Sequence, residues 1–98
     1  MLYLILAKDG TDEGAPARRK KVREQHLKEV EPAVASGVVK LGGALLNDAG
    51  EMTGSTLLVE AASEAEVRDF LENDIYFKGG VWQTFEIYPF KRAVGVSL

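Results

Sequence analysis

The chain has no cysteine. Disulfides, thiolate metal sites and a cysteine nucleophile are all excluded, and the composition fits a reducing, cytoplasmic setting. There is one histidine, His26, so one chain cannot build a multi-histidine metal cluster. No metal and no cofactor are expected. Long apolar runs are missing too. The longest, Met1 to Ala7, is far too short to span a bilayer. It has neither a basic leader nor a small-residue cleavage site, so it is not read as a secretory signal. Positive charge is not in excess: the formal net charge is -3. A mildly acidic domain repels phosphate backbones, which argues against a nucleic-acid partner. Repeats, low-complexity tracts, a phosphate loop, a dinucleotide fingerprint and a nucleophile elbow are all absent.

What is present is an ordinary globular balance, with 46% hydrophobic and 28% charged residues, which argues against disorder. The 98 residues suit one domain, 1–98. A domain of that size buries only roughly two thirds of its unfolded surface, so a subunit interface would add to a modest core.

The order of elements reads βαββαβ. Met1 to Ala7 is apolar on both sides, with Leu2, Leu4 and Leu6 on one and Tyr3 and Ile5 on the other, which places this strand centrally. After a polar loop, a helix is predicted over about 16–36. Pro16 suits its first turn, and an inward stripe runs Val22, His26, Val30, Ala33, flanked by Leu27 and Val34. Gly37 fits the C-terminal cap. Pro32 predicts a kink near Lys28 or two shorter helices. A strand over 38–46, interrupted at Gly42-Gly43, joins the next over about 52–61 through the turn Asn47-Asp-Ala-Gly50. Ser55, Leu57, Val59 and Ala61 share one face of that third strand. Ser63-x-x-Glu66 is a capping box opening a second helix, with Val67, Phe70 and Leu71 inward. The last strand covers 81–90, with Phe85 and Ile87 opposed to Trp82, Thr84, Glu86 and Tyr88. The tail over 91–98 is not assigned.

Right-handed crossovers then give an α+β, ferredoxin-like fold: a four-stranded antiparallel sheet, first and third strands central, both helices on one face. The other face, expected to carry Tyr3 and Ile5, is apolar and uncovered. Packing it on a second copy, sheet to sheet, would cover it by two-fold symmetry.

His26 lies on the inward stripe near its polar border. It is either a core-edge histidine bonded to a carbonyl, or a proton carrier whose ordinary pKa of about 6.5 suits neutral pH. Asp74 is either the N-cap of a short helical turn ending at Gly79, or the carboxylate that fixes the His26 tautomer; the two are not exclusive. The basic run Arg18-Arg19-Lys20-Lys21-x-Arg23 reads as a solvated face, or as an attractor of anions. Gly42-Gly43 marks a bulge or a place where a ligand approaches the backbone. Tyr76, Phe77 and Trp82 read first as core or interface.

Together these residues resemble the YCII-related (YciI-like) family: Met1-Leu-Tyr-Leu-Ile-Leu-Ala7, Arg23-Glu-Gln-His-Leu27, Gly42-Gly43, Thr53-Gly-Ser-Thr56, Asp74-Ile-Tyr76 and Tyr88-Pro-Phe-Lys91. The resemblance implies a dimeric α/β barrel, two sheets facing each other, and a histidine–aspartate site that falls on His26 and Asp74. The family's Asp-Pro-Tyr is Asp-Ile-Tyr here, and the proline after its paired glycines is Ala44. One branch resembles enzymes that eliminate chloride from chlorinated hydroquinones.

The expected activity is that of a cofactor-free lyase or isomerase. His26, oriented by Asp74, abstracts a proton from a small cyclic or phenolic substrate, with elimination or isomerisation. Gly43, Ser55 and Tyr76 are the substrate-binding candidates, with a backbone N–H near Gly43 or Ser55 facing a developing oxyanion. The alternatives are a non-catalytic ligand-binding or interaction module using the same cavity, and haem binding through His26. The expected partners are a small molecule and a second copy of the chain, with further assembly open, and no membrane.

Overall fold

The computed structural model describes residues 1–96, so the last two residues of the unassigned 91–98 segment lie outside the described residues. The elements are β1 (Leu2–Asp9), α1 (Ala15–Ala35), β2 (Val39–Leu46), β3 (Met52–Glu60), α2 (Glu64–Glu72), a single turn α3 (Ile75–Lys78) and β4 (Trp82–Phe90). The strands form one antiparallel sheet in the order β2-β3-β1-β4. β1 and β3 are central, as the apolar character of β1 requires. Among the described residues, no helix is long and apolar enough to cross a membrane.

The helices cover the face that carries Tyr3, Ile5 and Ala7 of β1 and Leu57 and Val59 of β3, and these residues form one core with Val67, Leu71, Tyr76 and Trp82. The expectation that Tyr3 and Ile5 face away from the helices is therefore corrected. Strand alternation divides β1 into two sets, but both sets are apolar, so the strand alone does not say which set meets the helices. Register decides it: Ile5 lies opposite Leu57 and Tyr3 opposite Val59, on the face that β3 turns to the core. The uncovered face instead carries Leu2, Leu4 and Leu6, which are half-buried, with Leu41, Tyr88 and Phe90 at 49%, 46% and 37% exposure.

The helix ends follow their sequence signals. Pro16 sits in the first turn of α1, and Gly37 takes φ +83° just past its end. α1 runs unbroken through Pro32, so the two-helix alternative does not occur; Pro32 lies in the last turn, where few helical hydrogen bonds remain to be lost. Ser63 Oγ caps α2 by accepting the Glu66 N–H. The β2–β3 turn closes through Asn47 Oδ1, which accepts the N–H groups of Ala49 and Glu51.

Two strand irregularities matter for the site. β2 is not interrupted at Gly42-Gly43: both glycines pair in register with Leu57 and Thr56, and the shifts lie between Val39 and Leu41 and between Leu45 and Leu46. β4 has a shift opposite Lys8 and Asp9, so Trp82 pairs with Asp9 while Thr84 pairs with Lys8. The extra residue turns Trp82 to the helix face, away from the Thr84, Glu86 and Tyr88 set expected to accompany it.

Candidate active site

His26 and Asp74 meet. His26 reaches inward from the middle of α1, and its Nδ1 lies 2.8 Å from Asp74 Oδ1. Both side chains are about nine-tenths buried, at 10% and 11% exposure. The same Oδ1 accepts the Tyr76 N–H at 2.8 Å and so caps α3. One oxygen therefore serves both expected roles, cap and histidine partner. A carboxylate only accepts, so Nδ1 carries the ring proton and the lone pair of the neutral imidazole falls on Nε2.

The His26 ring is held by packing as well. It stacks on the Tyr76 ring at 3.9 Å between centroids with planes 6° apart, and the Trp82 ring meets both edge-on. Such aromatic pairs add about 0.5–1.5 kcal/mol each beyond area burial. Burial pushes the Tyr76 phenol above its ordinary pKa, with the Arg19 and Arg23 charges pulling the other way. Its O–H is protonated at neutral pH.

Beside this stack lies a second buried network. Arg19 is 5% exposed, which corrects its reading as part of a solvated basic face. Its Nη1 donates to both carboxylate oxygens of Asp9 at 2.9 Å, its Nη2 to Ser55 Oγ at 2.9 Å, and its guanidinium lies 4.8 Å from the Tyr76 ring centroid. Trp82 Nε1 donates to the same Ser55 Oγ at 3.1 Å. Arg19 Nε is buried and has no partner among the described residues. Asp9, Arg19 and Trp82 were not among the expected site residues, yet Asp9 and Arg19 each had a signal. Asp9 continues the Tyr3, Ile5, Ala7 alternation, and Arg19 stands three residues before Val22 and seven before His26, on the same helical stripe.

A cavity of about 280 Å³ opens between α1 and the sheet. His26, Gly43, Ser55 and Tyr76 all line it, so these four expected residues share one cavity, together with Arg19 and Trp82. Asp74 does not line it. Asp74 borders a separate hollow of about 360 Å³ with Glu29, Phe70 and Asn73, and so stands behind the imidazole as seen from the cavity. Gly42 also borders the cavity, and a Cβ there would stand 2.8 Å from Leu57 Cδ2. A Cβ on Gly43 would meet nothing within 4 Å. Among the described residues, no group of three or more His, Cys, Asp or Glu side chains could hold a metal ion.

The neighbouring Arg18 does face outward. It forms paired bonds of 2.6 and 2.7 Å with Asp12 and donates through Nε to Gly80 O at 3.3 Å, tying the β1–α1 loop to the loop before β4.

The profile of the YCII-related domain matches residues 1–91. The chain is 31% identical to Protein YciI of Escherichia coli O6:H1, covering 94% of this chain and 98% of that protein. It is 30% identical to aspartate kinase FUB3 of Fusarium oxysporum over 93% of this chain, but it spans only 18% of that protein's length. Among solved structures, the 5-chloro-2-hydroxyhydroquinone dehydrochlorinase TftG of Burkholderia phenoliruptrix, in complex with 2,5-dihydroxybenzoquinone, superposes with a TM-score of 0.81 at 35% identity, covering 95% of this chain and 96% of that one.

Proposed function

This chain belongs to the YCII-related family, and on that premise we propose that it is a small-molecule enzyme in which His26 acts as general base and acid. The observation that carries the proposal is the 2.8 Å bond between His26 Nδ1 and Asp74, with the imidazole on the wall of a cavity sized for one small ring. Asp74 holds the tautomer and stabilises the imidazolium that forms. Nε2 removes a proton from a ring carbon or hydroxyl, and the electron pair left behind moves into the ring. It then either expels a leaving group as its anion, which is elimination, or takes up a proton from His26 at another atom, which is isomerisation. The structural likeness to a dehydrochlorinase supports a cyclic, hydroxylated substrate.

General acid–base assistance contributes about 10² to 10⁴ in rate. The test uses 5-chloro-2-hydroxyhydroquinone and unchlorinated hydroxyquinols, following chloride release and deuterium exchange at ring carbons. His26→Gln lowers either rate by about 10² or more. A folded His26→Gln protein that turns over at the wild-type rate overturns the assignment.

We also read the uncovered sheet face, with Leu4, Leu41 and Leu58 in its centre, as the surface that packs on a second copy. Leu4 and Leu41 both pair with Leu58, so they form one apolar row across three strands. Leu41→Asp on this face shifts the sedimentation coefficient to that of a single chain. An unchanged assembly removes the reading.

A further inference from the structure

We propose that the Ser55 hydroxyl, backed by Arg19, is the donor that receives the oxygen of an anionic phenol or enol in the His26 cavity. This deepens the reading of the cavity as a small-molecule site and rests on it. A serine hydroxyl has one proton to give and two lone pairs to share. Both lone pairs are occupied, by Arg19 Nη2 at 2.9 Å and Trp82 Nε1 at 3.1 Å. Guanidinium and indole N–H groups only donate, so neither can take the Ser55 proton back. Among the described residues the Ser55 O–H has no acceptor, although Ser55 is 5% exposed and lines the cavity. Its proton is therefore directed to whatever occupies that cavity.

The charge around it fixes the kind of acceptor. Arg19 and Arg23 line the cavity, and no carboxylate does among the described residues. Asp9 balances Arg19, whereas Arg23 has no ion-pair partner among the described residues. A hydroxyl that already accepts from a cation is polarised toward giving its proton, and hydrogen bonds to an ionised acceptor are the stronger kind. At the other end the wall is aliphatic, with Leu27, Val30, Val39 and Leu57. The cavity thus suits a flat, singly charged ring compound with its oxyanion at Ser55 and its apolar edge between helix and sheet. An anion held in this way is also the form in which ring electrons can expel a leaving group after His26 has removed a proton.

The test uses 4-nitrophenol, whose phenolate absorbs in the visible, and its methyl ether 4-nitroanisole, which cannot ionise. Wild-type protein draws bound 4-nitrophenol toward the phenolate at a pH where the free probe is half ionised, and binds it at least about tenfold more tightly than the ether. Ser55→Ala loses about tenfold to a hundredfold in phenolate affinity, the range for a hydrogen bond to a charged group, and holds the ether within about twofold. A purely structural role for Ser55 would weaken both probes together. The inference is overturned if wild type binds the two probes equally or binds neither, or if folded Ser55→Ala keeps the phenolate preference. Should Ser55→Ala fail to fold, equal binding of the two probes by wild type still overturns the inference. Ser55-dependent phenolate preference without any ring proton exchange would sink the catalytic reading and leave this one standing. Turnover without that preference would do the reverse.

Discussion

The Asp9–Arg19 pair sets a quantitative expectation for stability. Both side chains are almost fully buried, at 5% and 6% exposure, and Arg19 Nη1 bonds both carboxylate oxygens. Asp9→Leu removes the counter-charge and leaves a guanidinium whose Nε already lacks a partner among the described residues. Breaking a buried pair from one side costs about 3–5 kcal/mol, against a total stability of about 5–15 kcal/mol for a domain. At about 4–8 °C per kcal/mol, the midpoint of thermal unfolding falls by about 12–40 °C. Arg19→Met strands the Asp9 carboxylate and costs a similar amount. The double variant Asp9→Leu/Arg19→Met buries neither charge. It is therefore more stable than either single variant, retaining a deficit of about 1 kcal/mol for the donor lost from Ser55. The chain's single tryptophan, Trp82, is buried against this network and reports unfolding in urea by its fluorescence. All four proteins are compared at one concentration, because assembly would shift their apparent stability. If the two single costs add in the double variant to within about 0.5 kcal/mol, the residues do not act as a pair and the reasoning fails.

Two further expectations concern the scaffold. Arg18 beside Asp12 holds that carboxyl at about 2, below its usual 3.8, so the pair's contribution is complete above pH 3.8 and disappears as the pH falls through about 2. Carboxyl chemical shifts followed against pH check this, and Arg18→Ala returns the Asp12 midpoint toward 3.8 and flattens its salt dependence. Gly54 is fixed by space: a Cβ there would stand 2.5 Å from the Ala7 carbonyl oxygen across the central strand pair. Gly54→Ala forces β1 and β3 apart and costs about 1–3 kcal/mol in urea unfolding, whereas Gly43→Ala, with nothing within 4 Å, leaves the stability of an isolated chain within about 0.5 kcal/mol.

The legible parts of this fold were those that local chemistry decides alone. Pro16, Gly37, Ser63, Asn47 and Asp74 each mark a cap or turn that the structure contains, and the two-sided apolar β1 marks a central strand. His26 was visible because a lone polar ring on an apolar stripe stands out. Whatever depended on the relation between elements was not legible. The face of β1 that meets the helices follows from its register with β3, and Trp82 changes face because of one extra residue in β4, which no alternation pattern contains. Arg19 was hidden by its neighbours. Among Arg18, Lys20, Lys21 and Arg23 its charge reads as solvent-facing, and only a carboxylate at the end of β1, ten residues earlier, makes its burial tolerable.

The positioning of Asp74 shows how a departure from the family pattern is accommodated. Where the family's Asp-Pro-Tyr would fix φ at the first position of α3, this chain has Ile75, whose backbone is free to move. An isolated turn of four residues has no stability of its own. What holds it here is Asp74 Oδ1, which accepts the Tyr76 N–H, and the Tyr76 ring, which lies against His26. The cap, the stack and the His26 bond therefore form or break together, and the dyad is only as rigid as this turn. Restoring the proline isolates the backbone's share. Asp74 has ψ 143°, the extended value that a residue before proline adopts, and the Ile75 N–H has no partner among the described residues. Ile75→Pro is thus compatible with the folded chain and reduces the freedom of the unfolded one, raising stability by about 0.4–1 kcal/mol. The His26–Asp74 bond tightens with it, read as slower solvent exchange of the His26 ring proton. If Ile75→Pro instead loses more than about 0.5 kcal/mol, or speeds the exchange of that proton, Asp74 is placed by something other than the turn it caps.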